Sequence, residues 1–571
     1  MTDVGVRLAA DVLVIGAGAA GMMAARAASD QGASVVLVDK SLIGRGGATV
    51  LAQMTVAVAL GEAEPDSPEL HAADTIQGGR GLADPSIVQT ITDAAPAVIR
   101  DLEAYGTPWA RAADGTHSQV AAPGHSRQRC VYVDVLRTGE GVSAALRRVI
   151  WHDANIVRLR NVTVTRLVRE QGIIVGAVGF ALEEHVPVSI TTPAVIIATG
   201  GTTQLYARTS ASATMTGDGL MLAALAGAEL RDMEMVQFFP IAHLFPPLVQ
   251  LDPIMWDPFR YKLGGRLLNG NLDEFMHRYT SEVSGRYTAM RDQTTRAIFD
   301  EVQAGRGSPH GGAYLDFRQV PVDALEQAFG PVITILGRQG IDLTKDMVEV
   351  APMAHFMLGG IRVDPDMRTG VEGLFACGEA ICGMHGANRL SGNAITEAVV
   401  TGKSAGGTAA QLRTRHPDSN SVVRASEDEW ARLEQFWHPR DVRTDEVAMS
   451  QLKADLQQLM WEKAGPLRTE EDLQEALRSI QELRATTDAA ALAREDRFAL
   501  SLLEKVELQH MLRVGEAIVR GALARRESRG AHVRLDYPET AAAAVGRAFF
   551  FTEAEGWTLH DVSTPAGVMI G

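Results

Sequence analysis

Short, uninterrupted apolar runs that end in glycine recur along the chain and carry the first reading of its fold. Residues 11–15, Asp-Val-Leu-Val-Ile, are too short for a helix and too uniformly apolar for a half-exposed strand, so they predict a buried parallel strand. An Ala-rich stretch from 19 to 31 predicts a helix closed by Gly32, and Ser34 to Val38 predicts a second strand. Residues 194–201 and 373–380 repeat the pattern of apolar strand followed by a glycine turn, and Thr216-Gly-Asp-Gly219 opens another helix. Residues 391–406 begin with Ser and Gly and continue at helical spacing. The segment His416-Pro-Asp-Ser-Asn-Ser421 is polar and breaker-rich, which marks a boundary. Beyond it, residues 426–529 place Leu at helical intervals among alternating charges, as in 452–459 and 502–523, and predict the core of a helical bundle. The tail carries Phe549, Phe550, Phe551 and Trp557, which fit either a short strand pair or an interface patch.

Composition narrows the class. A chain of 571 residues exceeds one hydrophobic core, so about two to four domains are expected. With 46% hydrophobic and 22% charged residues it is not a disordered chain. The formal net charge of -16, with no cluster of Lys and Arg interleaved with aromatics, repels a phosphate backbone and argues against nucleic-acid binding. No segment reaches the roughly 18 apolar residues of a membrane span, and the N-terminus lacks a basic leader. The expectation is a cytoplasmic protein, peripheral at a membrane only through a partner. Cys130, Cys377 and Cys382 are too few for a disulfide framework or for a four-thiolate iron-sulfur cluster, so any cluster belongs to another chain. Cys377 and Cys382 read as small buried residues beside a glycine turn, and no metal site is expected.

Candidate chemistry begins where the first strand ends. Gly16-Ala-Gly-Ala-Ala-Gly21 follows it at once, which is the Gly-x-Gly-x-x-Gly pattern in its required strand-to-helix context. The glycines let backbone approach a pyrophosphate at a helix N-terminus, where unpaired N–H groups and the macrodipole favour an anion. Asp39 lies 18 residues beyond Gly21, at the spacing of a carboxylate that accepts from ribose hydroxyls. These residues indicate a dinucleotide and do not separate FAD from NAD.

The later blocks are more specific. Ala194-Val-Ile-Ile-Ala-Thr-Gly-Gly201, Thr216-Gly-Asp-Gly219, Gly373-Leu-Phe-Ala-Cys-Gly-Glu-Ala380, His385-Gly-Ala-Asn-Arg-Leu-Ser-Gly-Asn-Ala394 and Glu527-Ser-Arg-Gly-Ala-His-Val-Arg-Leu-Asp-Tyr-Pro538 together resemble the fumarate reductase, succinate dehydrogenase and L-aspartate oxidase flavoprotein family, from about residue 11 to 540. The resemblance implies an α/β fold: a Rossmann-like FAD-binding domain at 1–232 plus 351–415, an inserted α+β capping domain at 233–350, a helical domain at 422–535 and a C-terminal segment at 536–571. It implies non-covalent FAD. Gly16, Gly18, Ala19, Ala20 and Gly21 would hold the pyrophosphate, Asp39 the ribose, and Asp218 and Glu379 the adenine-side and ribityl hydroxyls. Asn393, Ala394 and Ile395 would meet the flavin, and Lys40, Gly47, Ala48, Thr49, Gln53, Ala198, Thr199, Gly200 and Arg389 complete the cofactor site. In the respiratory members a His tethers FAD at the position of Ala48, and alanine cannot form that bond. An untethered flavin implies a lower reduction potential, hence substrate reduction or oxidation of an easily oxidised substrate.

By the same resemblance, Arg291 takes the catalytic proton-donor role, while His355 and Arg389 grip a substrate carboxylate, the arginine through its bidentate fork. Arg291 gains that role in a closed, water-poor site where its charge stabilises a developing carbanion. The other half of the site departs from the family. Its dicarboxylate enzymes read Gln-Phe-His-Pro-Thr; here the stretch is Gln237-Phe-Phe-Pro-Ile241, and the family's Thr-Glu pair falls near Asp257-Pro258. A second carboxylate buried against Phe239 and Ile241 loses its charge-assisted bonds, at a cost of several kcal/mol. His243 would replace the lost donor if the loop were rebuilt. The expected substrate is therefore a small carboxylate other than plain succinate or fumarate, with an apolar, aromatic or amide-bearing end near Phe239, and an iron-sulfur partner exchanging the electrons. Two alternatives stand beside this reading. Gly124-His-Ser-Arg-Gln-Arg129 looks like a segment of the L-aspartate oxidases, which favours amine oxidation. An electron-relay flavoprotein with a decayed dicarboxylate site is the other.

Overall fold

The computed structural model describes residues 5–134, 136–248, 253–279, 291–437, 448–492, 498–543 and 545–563. Its centre is a five-stranded, wholly parallel sheet in the order Leu374–Ala376, Val195–Ile197, Val12–Ile15, Val35–Val38, Ile156–Leu159. The first four of these are fully buried and continuously apolar, as strands covered on both faces must be. Helix Ala19–Asp30 crosses from the first strand to its neighbour and packs along helix Asn393–Ala409. That packing is close because both helices present small residues: a Cβ on Gly402 would lie 2.3 Å from Ala20 O, and one on Gly406 2.1 Å from Ala24 O.

A second, mostly antiparallel sheet of Val6–Ala9, Val186–Thr191, Ile173–Ala181 and Val162–Glu170 flanks this body. Between Leu230–Arg231 and Gly360–Ile361 the chain leaves to build a cap around the antiparallel sheet Val236–Phe245, Val348–Met357, Ala313–Asp316, Arg266–Leu268. The cap has its own core, centred on Trp256, Phe317 and Phe329. Its two long strands, which carry the candidate pocket residues, run back to the main body and pack against helix Arg291–Gln303. Arg291 opens that helix; its side chain lies outside the described part.

The Leu-rich region folds into helices Ser419–Glu434, Met449–Lys463, Glu470–Ala489 and Leu500–Ala524; the last three pack on one another, whereas the first starts inside the expected boundary 416–421 and packs on the second sheet. The last is 25 residues long and almost wholly buried along one side, including Leu502, Leu508, Met511 and Ile518. The aromatic tail is a strand pair, Val545–Thr552 with Gly556–Ser563, that extends the small sheet at Leu230–Arg231. Phe549, Phe551 and Trp557 are buried there, whereas Phe550 faces outward, as the twofold alternation of a strand requires. All three cysteines are buried and unpaired, and burial raises each thiol, Cys130 to about 12. Among the described residues no helix is long and apolar enough to cross a membrane.

Candidate active site

A cleft of about 680 Å³ opens where the carboxyl ends of the central strands face the cap. Its inner wall is the glycine turn after Val12–Ile15. Gly16 has φ +102°, and a Cβ there would lie 2.4 Å from Ala198 O, so only glycine lets the two strand ends meet. Gly18 meets only Thr49 Oγ1 and leaves the cleft open, with Ala19 and Ala20 beside it. Gly21 is different: it faces Gly16 O, where a Cβ would sit at 1.8 Å, so it packs helix on strand and does not line the cleft. Gly47, Ala48, Thr49, Ala198, Thr199 and Gly200 line the same wall, and Thr199 Oγ1 is buried without a hydrogen-bond partner.

The charged residues at one end of the cleft are already organised. Asp39 accepts from Ala17 N at 2.8 Å through one oxygen and from Ser41 N and Oγ at 2.7 Å through the other. Lys40 Nζ donates to Thr216 Oγ1, Asp218 Oδ2 and Glu507 Oε1 at 2.5–2.6 Å, and His510 Nδ1 lies 3.0 Å from Asp218 Oδ1. Burial opposes charge on both Lys40 and Asp218, yet Asp218 and Glu507 together raise the ammonium, and Lys40 and His510 together lower the carboxyl. Asp218 thus reaches the cleft with both oxygens engaged. Glu379 also lines it; burial pushes its carboxyl up to about 8, against the opposing bond from Met357 N and the pull of Arg389.

At the other end stand the candidate substrate residues. His355 Nδ1 lies 2.8 Å from Ser210 Oγ, and its ring meets Phe239 edge-on with centroids 5.3 Å apart. The Arg389 guanidinium lies 4.7 Å above the Phe356 ring and donates from Nη1 to Leu390 O, while Gln237 Nε2 holds Arg389 O at 3.0 Å. Phe239, Met255, Pro253 and Met54 give the same cleft an apolar wall, with Phe239 beside His355. Gln53 ties that wall to the main body, donating from Nε2 to Pro253 O and accepting from Met255 N.

Besides Gly21, which was expected at the pyrophosphate, three assignments change. Ile241 and His243 do not reach the cleft, although period-two spacing puts them on one face with Phe239. The strand bulges between Phe239, paired with Met353, and Ala242, paired with Ala351, so three residues span two and the faces exchange. Ile241 packs in the cap core beside Trp256 and Phe259. His243 is buried, receiving Trp256 Nε1–H at 3.2 Å and bonding Pro246 O through Nε2 at 2.5 Å. The third is Asn393, whose side chain turns away from the cleft: its Oδ1 lies 2.8 Å from His71 Nε2 and its Nδ2 donates to Thr75 Oγ1 at 3.0 Å. Ala394 and Ile395, in the first turn of the same helix, do line the cleft. Ser210, Phe356, Met54 and Met255 were not read from sequence. The polar run Thr209-Ser-Ala-Ser212 ahead of the helix-opening turn was the one available signal for Ser210.

The cleft fits FAD on its own features: a glycine wall that admits phosphate, buried polar atoms facing it, and a helix N-terminus at its far end. Comparisons with known proteins agree. Residues 11–395 match the family model described as FAD binding domain, and residues 453–566 the one described as Fumarate reductase flavoprotein C-term. The chain is 35% identical over 534 residues to a fumarate reductase (CoM/CoB) polypeptide of Methanothermobacter marburgensis, covering 93% of this chain and 95% of that one. It is 33% identical over 544 residues to L-aspartate oxidase of Mesorhizobium japonicum, covering 93% of each. Among solved structures, E. coli quinol fumarate reductase FrdA superposes with a TM-score of 0.90 at 28% identity, covering 99% of this chain and 98% of that one. Mycobacterium smegmatis Sdh1 gives 0.87 at 33% identity over 99% and 95%. The chain is therefore an FAD-dependent oxidoreductase that belongs to the fumarate reductase, succinate dehydrogenase and L-aspartate oxidase flavoprotein family.

Proposed function

We propose that this protein exchanges a hydride between its flavin and a CH–CH or C=C bond of a small carboxylate that carries one carboxylate and one apolar end. One observation carries the reading: a single cleft is lined both by Arg389 and His355 and by an apolar group of Phe239, Met255, Pro253 and Met54, with Phe239 against the His355 ring. The flavin, when bound, supplies the two-electron step. Arg389, buried over the Phe356 ring, would offer its bidentate fork to the carboxylate. His355, oriented by Ser210, adds a further donor. Together they withdraw charge from the carbon next to the carboxylate, where a carbanion develops. Arg291, by its place in the family pattern, protonates that carbon. Phe239 in the apolar wall offers a second carboxylate no hydrogen-bond donor. Ala48 has no side-chain atom to tether the cofactor, so FAD is held without a covalent bond at that position. Three buried cysteines cannot carry a four-thiolate cluster, so an iron-sulfur centre that exchanged the electrons would lie on a partner chain.

Amine oxidation of the L-aspartate oxidase type has one observation in its favour. The segment that resembles those oxidases, residues 124–129, abuts the cleft wall, with His125 Nε2 at 2.7 Å from Ser391 O. An anaerobic screen separates the readings. Reduced holoenzyme is mixed with fumarate and with 2-enoates bearing larger apolar ends, and flavin reoxidation is followed; oxidised holoenzyme is mixed with amino acids and flavin bleaching is followed, then peroxide once air is admitted. Faster reoxidation by the bulkier enoates is expected. Fumarate turned over as tightly as any enoate would overturn the one-carboxylate pocket, and peroxide formed on L-aspartate would replace the reaction.

A further inference from the structure

Behind the loop 390–392 that opens helix Asn393–Ala409 lies a buried polar cluster that the proposed reaction does not use. His71, from helix Pro68–Gly78, and His125 stand 5.6 Å apart, ring to ring. His71 Nε2 reaches Asn393 Oδ1 at 2.8 Å and His125 Nε2 reaches Ser391 O at 2.7 Å. Both targets are acceptors only, so each ring carries its proton on Nε2. The Nδ1 atom of each is buried without a hydrogen-bond partner, which fits a bare nitrogen and a neutral ring. Burial enforces that state, holding His71 down at about 3 and lowering His125 as well. Thr75 completes the set by accepting from Asn393 Nδ2 and donating to His71 O at 2.9 Å. Arg129, wholly buried, is gripped by Asp66 at 3.0 Å and by Asp74 at 2.9 Å, and so braces the segment that carries His125.

The faces are opposite. Ser391, Gly392, Ala394 and Ile395 line the cleft, while the two histidines touch the same turn from behind. Gly392 at φ +85° makes the turn possible and Asn393 begins the helix. A glycine in that conformation defines a bend without holding it, because glycine loses the most conformational freedom on ordering.

We infer that His71 and His125 are positioning residues: from behind, their Nε2–H donors hold the Ser391–Asn393 turn against the flavin end of the cleft, and Asn393 acts through them rather than by touching the cofactor. The helix N-terminus favours negative charge at its start. Holding it in place therefore favours reduced, anionic flavin over oxidised flavin, and a looser turn loses that preference.

The test measures FAD dissociation constants by fluorescence titration of apoprotein and midpoint potentials of the holoenzyme by anaerobic spectroelectrochemistry. His71→Leu and His125→Leu are each expected to weaken FAD about tenfold and to lower the potential. A further tenfold loss specific to reduced flavin corresponds to about 30 mV for a two-electron couple. His71→Gln, whose amide N–H can still donate to Asn393, is expected to restore both quantities. Leucine variants that melt earlier but keep the wild-type dissociation constant and potential would show a merely structural role and overturn the inference. If His71→Leu does not fold, Thr75→Val decides: it removes the second partner of Asn393, a lowered potential is expected, and an unchanged one overturns the inference.

Discussion

The two walls of the cleft are built on different terms. On the inner wall, position is set by backbone: Gly16, Gly21 and Ala198 lie so close that a single added carbon would collide with a carbonyl. On the outer wall, position is set by register, because a one-residue bulge after Phe239 decides which side chains of strand Val236–Phe245 see the cleft. The first wall is marked by glycines that the sequence itself shows, although Ala198 reaches it from a strand far along the chain. The second depends on a partner strand more than a hundred residues later, and the same sequence without the bulge would present Ile241 and His243 to the substrate.

This contrast can be broken or sharpened, beginning with the largest effect. Gly21→Ala places a methyl 1.8 Å from Gly16 O, and the purified protein is expected to be colourless, its flavin absorbance near zero against protein absorbance. Arg389→Met removes two charge-assisted bonds worth ~1.5–3 kcal/mol each, so kcat/KM for the best enoate should fall by at least about a hundredfold while the flavin spectrum stays intact. Phe239→His returns a polar donor to the outer wall beside His355, and the ratio of kcat/KM for fumarate to that for a bulky enoate should rise about tenfold.

Acid stability sharpens the contrast from behind the turn. His71 is held near 3 in the folded protein against an ordinary value of 6.5, so the unfolded chain binds the proton first. Stability is then fully present above pH 6.5 and declines as the pH falls towards 3. At pH 5.5 the loss from this group is about 1.4 kcal/mol, and His71→Gln should flatten that part of the urea-midpoint profile. The smallest effect is expected for Ser210→Ala, which removes one partner of the His355 ring and should raise KM about fivefold, the equivalent of one neutral hydrogen bond.

Sequence alone determined the strands, helices and glycine turns of the nucleotide half, because strand-glycine-helix units are local and their spacing leaves little choice. It also determined that the Leu-rich region is helical and that the chain is similar to a flavoprotein family, since both rest on motif and periodicity. Tertiary structure decided the rest. It turned Ile241 and His243 into the cap core through a bulge, and turned Asn393 from the cleft towards His71. It also brought Glu507 and His510 some 290 or more residues along the chain to Asp218 and Lys40. It resolved the aromatic tail into a strand pair beside Leu230–Arg231. Each of these depends on which distant segment lies opposite, and a side chain's facing in a strand or at a helix start is settled only when that partner is in place.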